Sequence, residues 1–178
     1  MSDYSSCAVS ASYNLSCLSS VGGLRKVYIF TDVTGTTETA GEISDISGTG
    51  SAFTYELRKN GGSSLTETIN NSLENGSLFY QQDLLMVFHK LDTSLRNQIK
   101  LLAQNRGLKV VVESNNGNQF FLGEDFDGGY LQTGTATTGV SFGDASSYSI
   151  TLSFFQKSPM MELSAPLTSV LTGITIVE

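Results

Sequence analysis

The stretch SLTETINNSLENGSLFYQQDLLMVF, residues 64–88, decides the fold. Asn75-Gly76 sits between two runs of alternating side chains. Asn-Gly is the strongest short-range hairpin signal, because a type I′ turn needs positive φ at both central residues. A two-residue turn there predicts that Glu74 faces Ser77, Leu73 faces Leu78 and Ser72 faces Phe79. Side chains of paired strands sort onto two faces. One face then carries Leu65, Ile69, Leu73, Leu78, Tyr80, Leu84 and Met86. The other carries Thr66, Thr68, Asn70, Ser72, Gln81 and Asp83. The ribbon is dry on one side, and wet and weakly acidic on the other. A hairpin this long is marginal alone in water, so it is expected to join a larger sheet or to dock on a partner.

Working outward, one helix follows. Asp92 is a candidate N-cap ahead of TSLRNQIKLLAQNR, and Gly107 is placed to be the C′ residue, giving a helix over about residues 92–106. Leu91, Leu95, Ile99 and Leu102 form one apolar stripe, and Arg96, Lys100 and Arg106 lie elsewhere on its surface. The last two suit the negative end of the helix dipole. The other periodic segments read as strands. LRKVYIF (24–30) is apolar on both faces towards its end, and AFTYELRK (52–59) alternates. LKVVVES (108–114) leads through Asn116-Gly117 into QFFLG (119–123). In SSYSITLSFFQK (146–157), Tyr148, Ile150, Leu152 and Phe154 oppose Ser149, Thr151 and Ser153. Many strands around one helix predict an α+β domain, mainly antiparallel β, built as a barrel or sandwich.

Two segments lie outside this pattern. Residues 33–51, VTGTTETAGEISDISGTGS, read as a long loop, either mobile or ordered by contact. Residues 164–178 follow an apparently complete domain, 1–163, as an apolar C-terminal extension. The extension either covers its own domain's edge or docks on another subunit. The second option makes Leu167, Val170, Leu171, Ile174 and Ile176 inter-subunit candidates, together with Leu73 and Leu78 of the hairpin. On that option, removing 164–178 leaves a folded monomer that polymerises poorly.

The 178 residues carry a net charge of −7, and only 15% are charged, against about 25% in an average domain. An acidic chain lacks the basic face of a sequence-reading nucleic-acid binder. No apolar run is long enough for a membrane helix, and MSDYSSCAVSASYNLSC lacks the basic-then-apolar order of a secretory signal. Cys7, Cys17 and the lone His89 cannot complete a structural zinc set. The two thiols are read as reduced, with one disulfide as the other option. No nucleophile elbow, metalloprotease motif, P-loop or dinucleotide fingerprint occurs. The acidic run Glu124-Asp125-Phe126-Asp127 lacks EF-hand spacing and reads as a solvated turn rather than a Ca²⁺ loop. The chain has no Trp to serve as a sugar platform. No catalytic, cofactor-binding or metal-ligating residue is therefore assigned, and the chain is not expected to be an enzyme.

The order of parts carries a resemblance. GGLRKVYIF is followed by a polar loop and a strand, then the hairpin ending FYQQDLLMVFHKLD and the helix RNQIKLLAQNRGL. A short hairpin, VVVESNNGNQFFLGEDF, and GVSFGDASSYSITLSFFQKSPMMEL complete it. This order resembles the tail-tube proteins of bacteriophages, notably those of Bacteroidetes phages, and more distantly the inner tube of type VI secretion systems. The resemblance implies a virion structural subunit located in the tail and assembled in the host bacterial cytoplasm. It implies a β-barrel with a flanking helix, in (commonly hexameric) rings that stack into a conduit for genome ejection. Its partners would be further copies of itself, sheath, terminator or baseplate proteins, and DNA that passes without sequence-specific binding. Thr66, Thr68, Asn70, Ser72, Gln81 and Asp83 would then face the lumen, where acidic walls repel phosphates. Two other readings stand beside it. One is a head–tail connector, tube terminator or capsid decoration protein, and the other is a monomeric ligand-binding β-domain with exposed aromatic platforms.

Overall fold

A computed structural model describes residues 11–14 and 18–178, so Cys7 and Cys17 lie outside the described residues. The chain is mostly strand, in two sheets packed around one shared apolar core, with no closed barrel. The smaller sheet has the order β5 (Ser64–Ser72), β6 (Ser77–His89), β10 (Ser147–Gln156), β9 (Tyr130–Thr137), all antiparallel. The larger sheet is mixed. Its centre is β8 (Gln119–Leu122), β7 (Lys109–Ser114), β1 (Leu24–Phe30) and β4 (Ser51–Glu56). On one side it continues through β11 (Met161–Leu163) to β3 (Glu42–Ser47), which also pairs β2 (Gly35–Thr39). Each end of the order is finished by a short C-terminal strand, β12 (Leu171–Thr172) on β3 and β13 (Thr175–Val177) on β4, both parallel.

Strand β1 explains the layering. From Val27 to Phe30 its even and odd residues are both apolar, as a strand buried on two faces requires. Val27 and Ile29 enter one core with Leu84, Met86, Ile150, Leu152 and Phe154 of the small sheet. Tyr28 and Phe30 enter a second core with Ile43, Ile46, Val111 and Phe121. Helix α1 (Thr93–Gln104) flanks the first core through Leu95, Ile99 and Leu102.

The hairpin forms with a different turn. Ser72 pairs with Ser77 and Asn70 with Phe79, so Leu73–Gly76 make a four-residue loop. Gly76 takes φ +62 whereas Asn75 does not take positive φ, so the two-residue turn is not made. The shift moves each partner by two residues and therefore leaves the paired side chains on their expected faces, but Leu73, expected opposite Leu78 on the dry face, falls in the loop, and Leu78 pairs with Asn71 instead. The helix also ends earlier than expected. It stops at Gln104 with Asn105 as C-cap, and Asp92 makes no side-chain cap bond. Gly107 instead donates its N–H to Asn105 Oδ1 at 2.9 Å, and Arg106 lies beyond the last turn.

Residues 33–51 are largely strand rather than loop. Thr36–Ile46 and Thr37–Asp45 pairings make a hairpin, and its Ile43 and Ile46 side chains supply the apolar anchors. Residues 164–178 belong to the same body as the rest. Leu167 and Val170, on the single turn α2 (Leu167–Val170), are 2% and 3% exposed in the second core. Leu171, Ile174 and Ile176 pack against that core. The apolar character read as a docking surface is therefore used within the chain. Among the described residues, no helix is long and apolar enough to cross a membrane.

Candidate functional site

The uncovered face of the small sheet gathers the polar residues expected for a lumen. Register places Thr66 opposite Asp83, Thr68 opposite Gln81, and Ser72 opposite Ser77. Strand β10 extends the face, because Ser153 pairs with Asp83, Thr151 with Leu85 and Ser149 with Val87. Strand β9 completes it with Thr133, Thr135 and Thr137. Short hydroxyl side chains thus line β5, β10 and β9, with Gln81, Asp83, Leu85 and Val87 of β6 between them, while Leu84, Met86, Ile150 and Leu152 fill the opposite face.

Asp83 is the one carboxylate on this face. Its Oδ1 accepts a hydrogen bond from Ser153 Oγ at 2.7 Å, and its Oδ2 accepts one from Gln81 Nε2 at 3.1 Å. These bonds fix its orientation across the two central strands. Glu67 points to the other side. Its Oε2 accepts from Gln82 Nε2 at 2.8 Å and from the Met160 N–H at 2.7 Å, in a buried polar network that includes Gln156.

Three aromatic rings cross one end of the polar face. Phe79 and Phe155 have centroids 6.0 Å apart, and Tyr130 stacks on Phe155 at 6.4 Å. Sequence reasoning sorted Phe154 correctly to the core but did not group Phe155 with Phe79 and Tyr130. Only the pairing of β6, β10 and β9 brings these residues together. The sheet also has two unpaired margins, at β5 and at β9. The hairpin tip extends beyond the last β6–β10 pair, Tyr80 with Gln156, and leaves Leu73 91% and Leu78 52% exposed.

The acidic run is a structural turn. Glu124 Oε1 accepts from Thr36 Oγ1 at 2.6 Å, and Asp125 Oδ2 accepts from the Lys157 N–H at 2.8 Å. Phe126 and Asp127 adopt positive φ of 53° and 62°, which turns the chain within four residues. Among the described residues, no three His, Cys, Asp or Glu side chains converge as a metal site.

Besides Tyr55, whose phenol is pushed up by burial, two groups among the described residues have displaced ionisation. Burial, followed by the charge of Glu113, pushes the Tyr28 phenol up to about 12, and its hydroxyl donates to Glu113 Oε2 at 3.2 Å. Exposed Asp144 is held below the usual carboxylate range by the N–H groups of Ser141 and Val140, which donate to its Oδ2. Neither group lies on the polar face. No family model, curated protein or solved structure was found that matches the chain.

Proposed function

We propose that the chain is a non-enzymatic structural subunit of a virion, a tail-tube protomer whose copies join into rings and stacked tubes for genome passage. The observation that carries this reading is the small sheet: four strands, one uncovered Ser/Thr-rich face and two unpaired margins. An open strand margin is a template for pairing, and closure into a ring removes it. Pairing β5 of one copy with β9 of the next would continue the polar face around a closed wall.

The dimensions suit a conduit. At about 4.8 Å between strands, six four-stranded sheets close a wall of roughly 115 Å circumference and roughly 37 Å diameter. Short Ser and Thr side chains leave most of that width open. The net charge of −7 and the fixed Asp83 carboxylate favour passage over adhesion of a polyanion. Barrel closure would then arise between subunits, from open sheets joined edge to edge.

The aromatic row Phe79–Phe155–Tyr130 favours a second reading, a ligand-binding β-domain, since such rings provide stacking platforms. Electron microscopy and light scattering of concentrated, untagged protein separate the readings. Rings with long tubes are expected. Single rings that never stack would indicate a terminator or connector, and a solution of monomers at every concentration would refute self-assembly.

A further inference from the structure

Asn-Gly occurs at Asn60-Gly61, Asn75-Gly76 and Asn116-Gly117. At such a pair the glycine nitrogen can attack the asparagine Cγ, since a glycine has no Cβ to crowd the approach. The attack requires a glycine N–H that is not engaged and an asparagine side chain able to turn onto it. These two conditions separate the three sites.

Two sites are tied down. The Gly61 N–H donates to the Arg58 carbonyl at 3.0 Å. Gly61 is also crowded, because a Cβ there would meet that carbonyl at 2.8 Å and His89 Nε2 at 3.3 Å. The Gly117 N–H donates to the Ser114 carbonyl at 3.0 Å. Asn116 is held at both ends of its amide. Its Oδ1 accepts from the Val21 N–H at 2.8 Å, and its Nδ2 donates to Ser20 Oγ at 3.0 Å.

Asn75-Gly76 meets both conditions. It lies in the exposed Leu73–Gly76 loop, at the tip of the hairpin that extends past the sheet. Among the described residues, the Gly76 N–H donates no hydrogen bond and the Asn75 side-chain amide makes none. The loop bond from the Asn75 N–H to Ser72 Oγ, at 3.4 Å, engages neither reacting group. A Cβ at Gly76 would meet nothing within 4 Å, so the loop has room to reorient.

We infer that Asn75 is a site of self-catalysed covalent modification, deamidation through a cyclic imide. The Gly76 nitrogen bonds to Asn75 Cγ and gives up its proton. The Cγ–Nδ2 bond breaks, and the amide takes up a proton and leaves as ammonia. One water then opens the ring, its hydroxyl going to a carbonyl carbon and its hydrogen to the Gly76 nitrogen. Opening at Cγ gives aspartate at position 75, and opening at the main-chain carbon gives isoaspartate. Either product sets a second carboxylate beside Glu74 on the hairpin tip. The reaction needs no partner and is independent of the self-assembly reading.

The net worth of one protein hydrogen bond corresponds to a factor of roughly five in rate. With one bond to open first, Asn60 should react roughly fivefold more slowly than Asn75. With three to open, Asn116 should react roughly a hundredfold more slowly.

The test ages the full-length protein in heavy-oxygen water at mildly alkaline pH. Mass spectrometry of the three Asn-Gly peptides follows label uptake, and isoaspartate methyltransferase labelling gives a second readout. Label is expected first at position 75, with Asn60 and then Asn116 behind it. In guanidinium chloride, where the protecting bonds are lost, the three rates should converge. Asn75→Gln should abolish label at that position while leaving the circular dichroism unchanged. Native protein in which Asn60 or Asn116 reacts as fast as Asn75 would overturn the assignment, and so would an order of rates that persists unchanged in denaturant.

Discussion

Replacing Leu167 by Ala tests whether the C-terminal segment is core or interface. Leu167 is 2% exposed in the second core, and its N–H donates to Gln119 Oε1 at 2.8 Å. Truncating a fully buried Leu loses its transfer free energy and leaves a cavity, at a cost of about 2–5 kcal/mol. The single turn α2 can settle partly into the space, which places the expected loss near 3 kcal/mol. A domain of this size loses about 2–4 °C of Tm per kcal/mol, so the melting temperature should fall by roughly 6–12 °C. The assay is urea and thermal unfolding of dilute, monomeric protein, with exposed Thr168→Ala as the control, expected within about 0.5 kcal/mol of wild type. A Leu167→Ala loss below about 1 kcal/mol, alongside impaired polymerisation, would refute the reasoning. It would mean that the tail leaves its own core to pack on a neighbour.

Two further outcomes follow from packing and charge. A Cβ at Gly129 would strike the ring of Phe154, which is 0% exposed, so Gly129→Ala should destabilise by about 1–3 kcal/mol in urea titration. Tyr28 has its folded pKa raised from 10.0 to about 12, so the unfolded chain loses this proton first. Its contribution is whole below pH 10 and lost as pH rises from 10 to 12, and Tyr28→Phe should flatten that limb of the stability profile measured by chemical unfolding.

Local patterning was readable at several places. The alternation in 64–88 placed Thr66, Asp83, Leu84 and Met86 on their observed faces, although the turn has four residues rather than two. A two-residue shift preserves strand parity, so face assignment survives an error in turn type. Asn116-Gly117 did make a hairpin turn, with Gly117 at φ +92. The 33–51 hairpin was missed because Ile43 and Ile46 are sparse anchors, and their value depends on the Tyr28, Phe30 and Phe121 surface that buries them.

By itself the sequence determined the mainly antiparallel character, the single long helix, the two-faced hairpin and the acidic balance. These properties follow from local period, turn chemistry and charge, which each segment carries alone. Tertiary structure decided which strands share a sheet, that the tail completes its own core, and that Phe79, Phe155 and Tyr130 meet on one face. It also decided that Val140 and Phe142 stand exposed on the connection between β9 and β10. The reason is physical: periodicity says which side of a strand is apolar, whereas the partner that covers it is chosen by long-range pairing, and no local residue pattern encodes that choice.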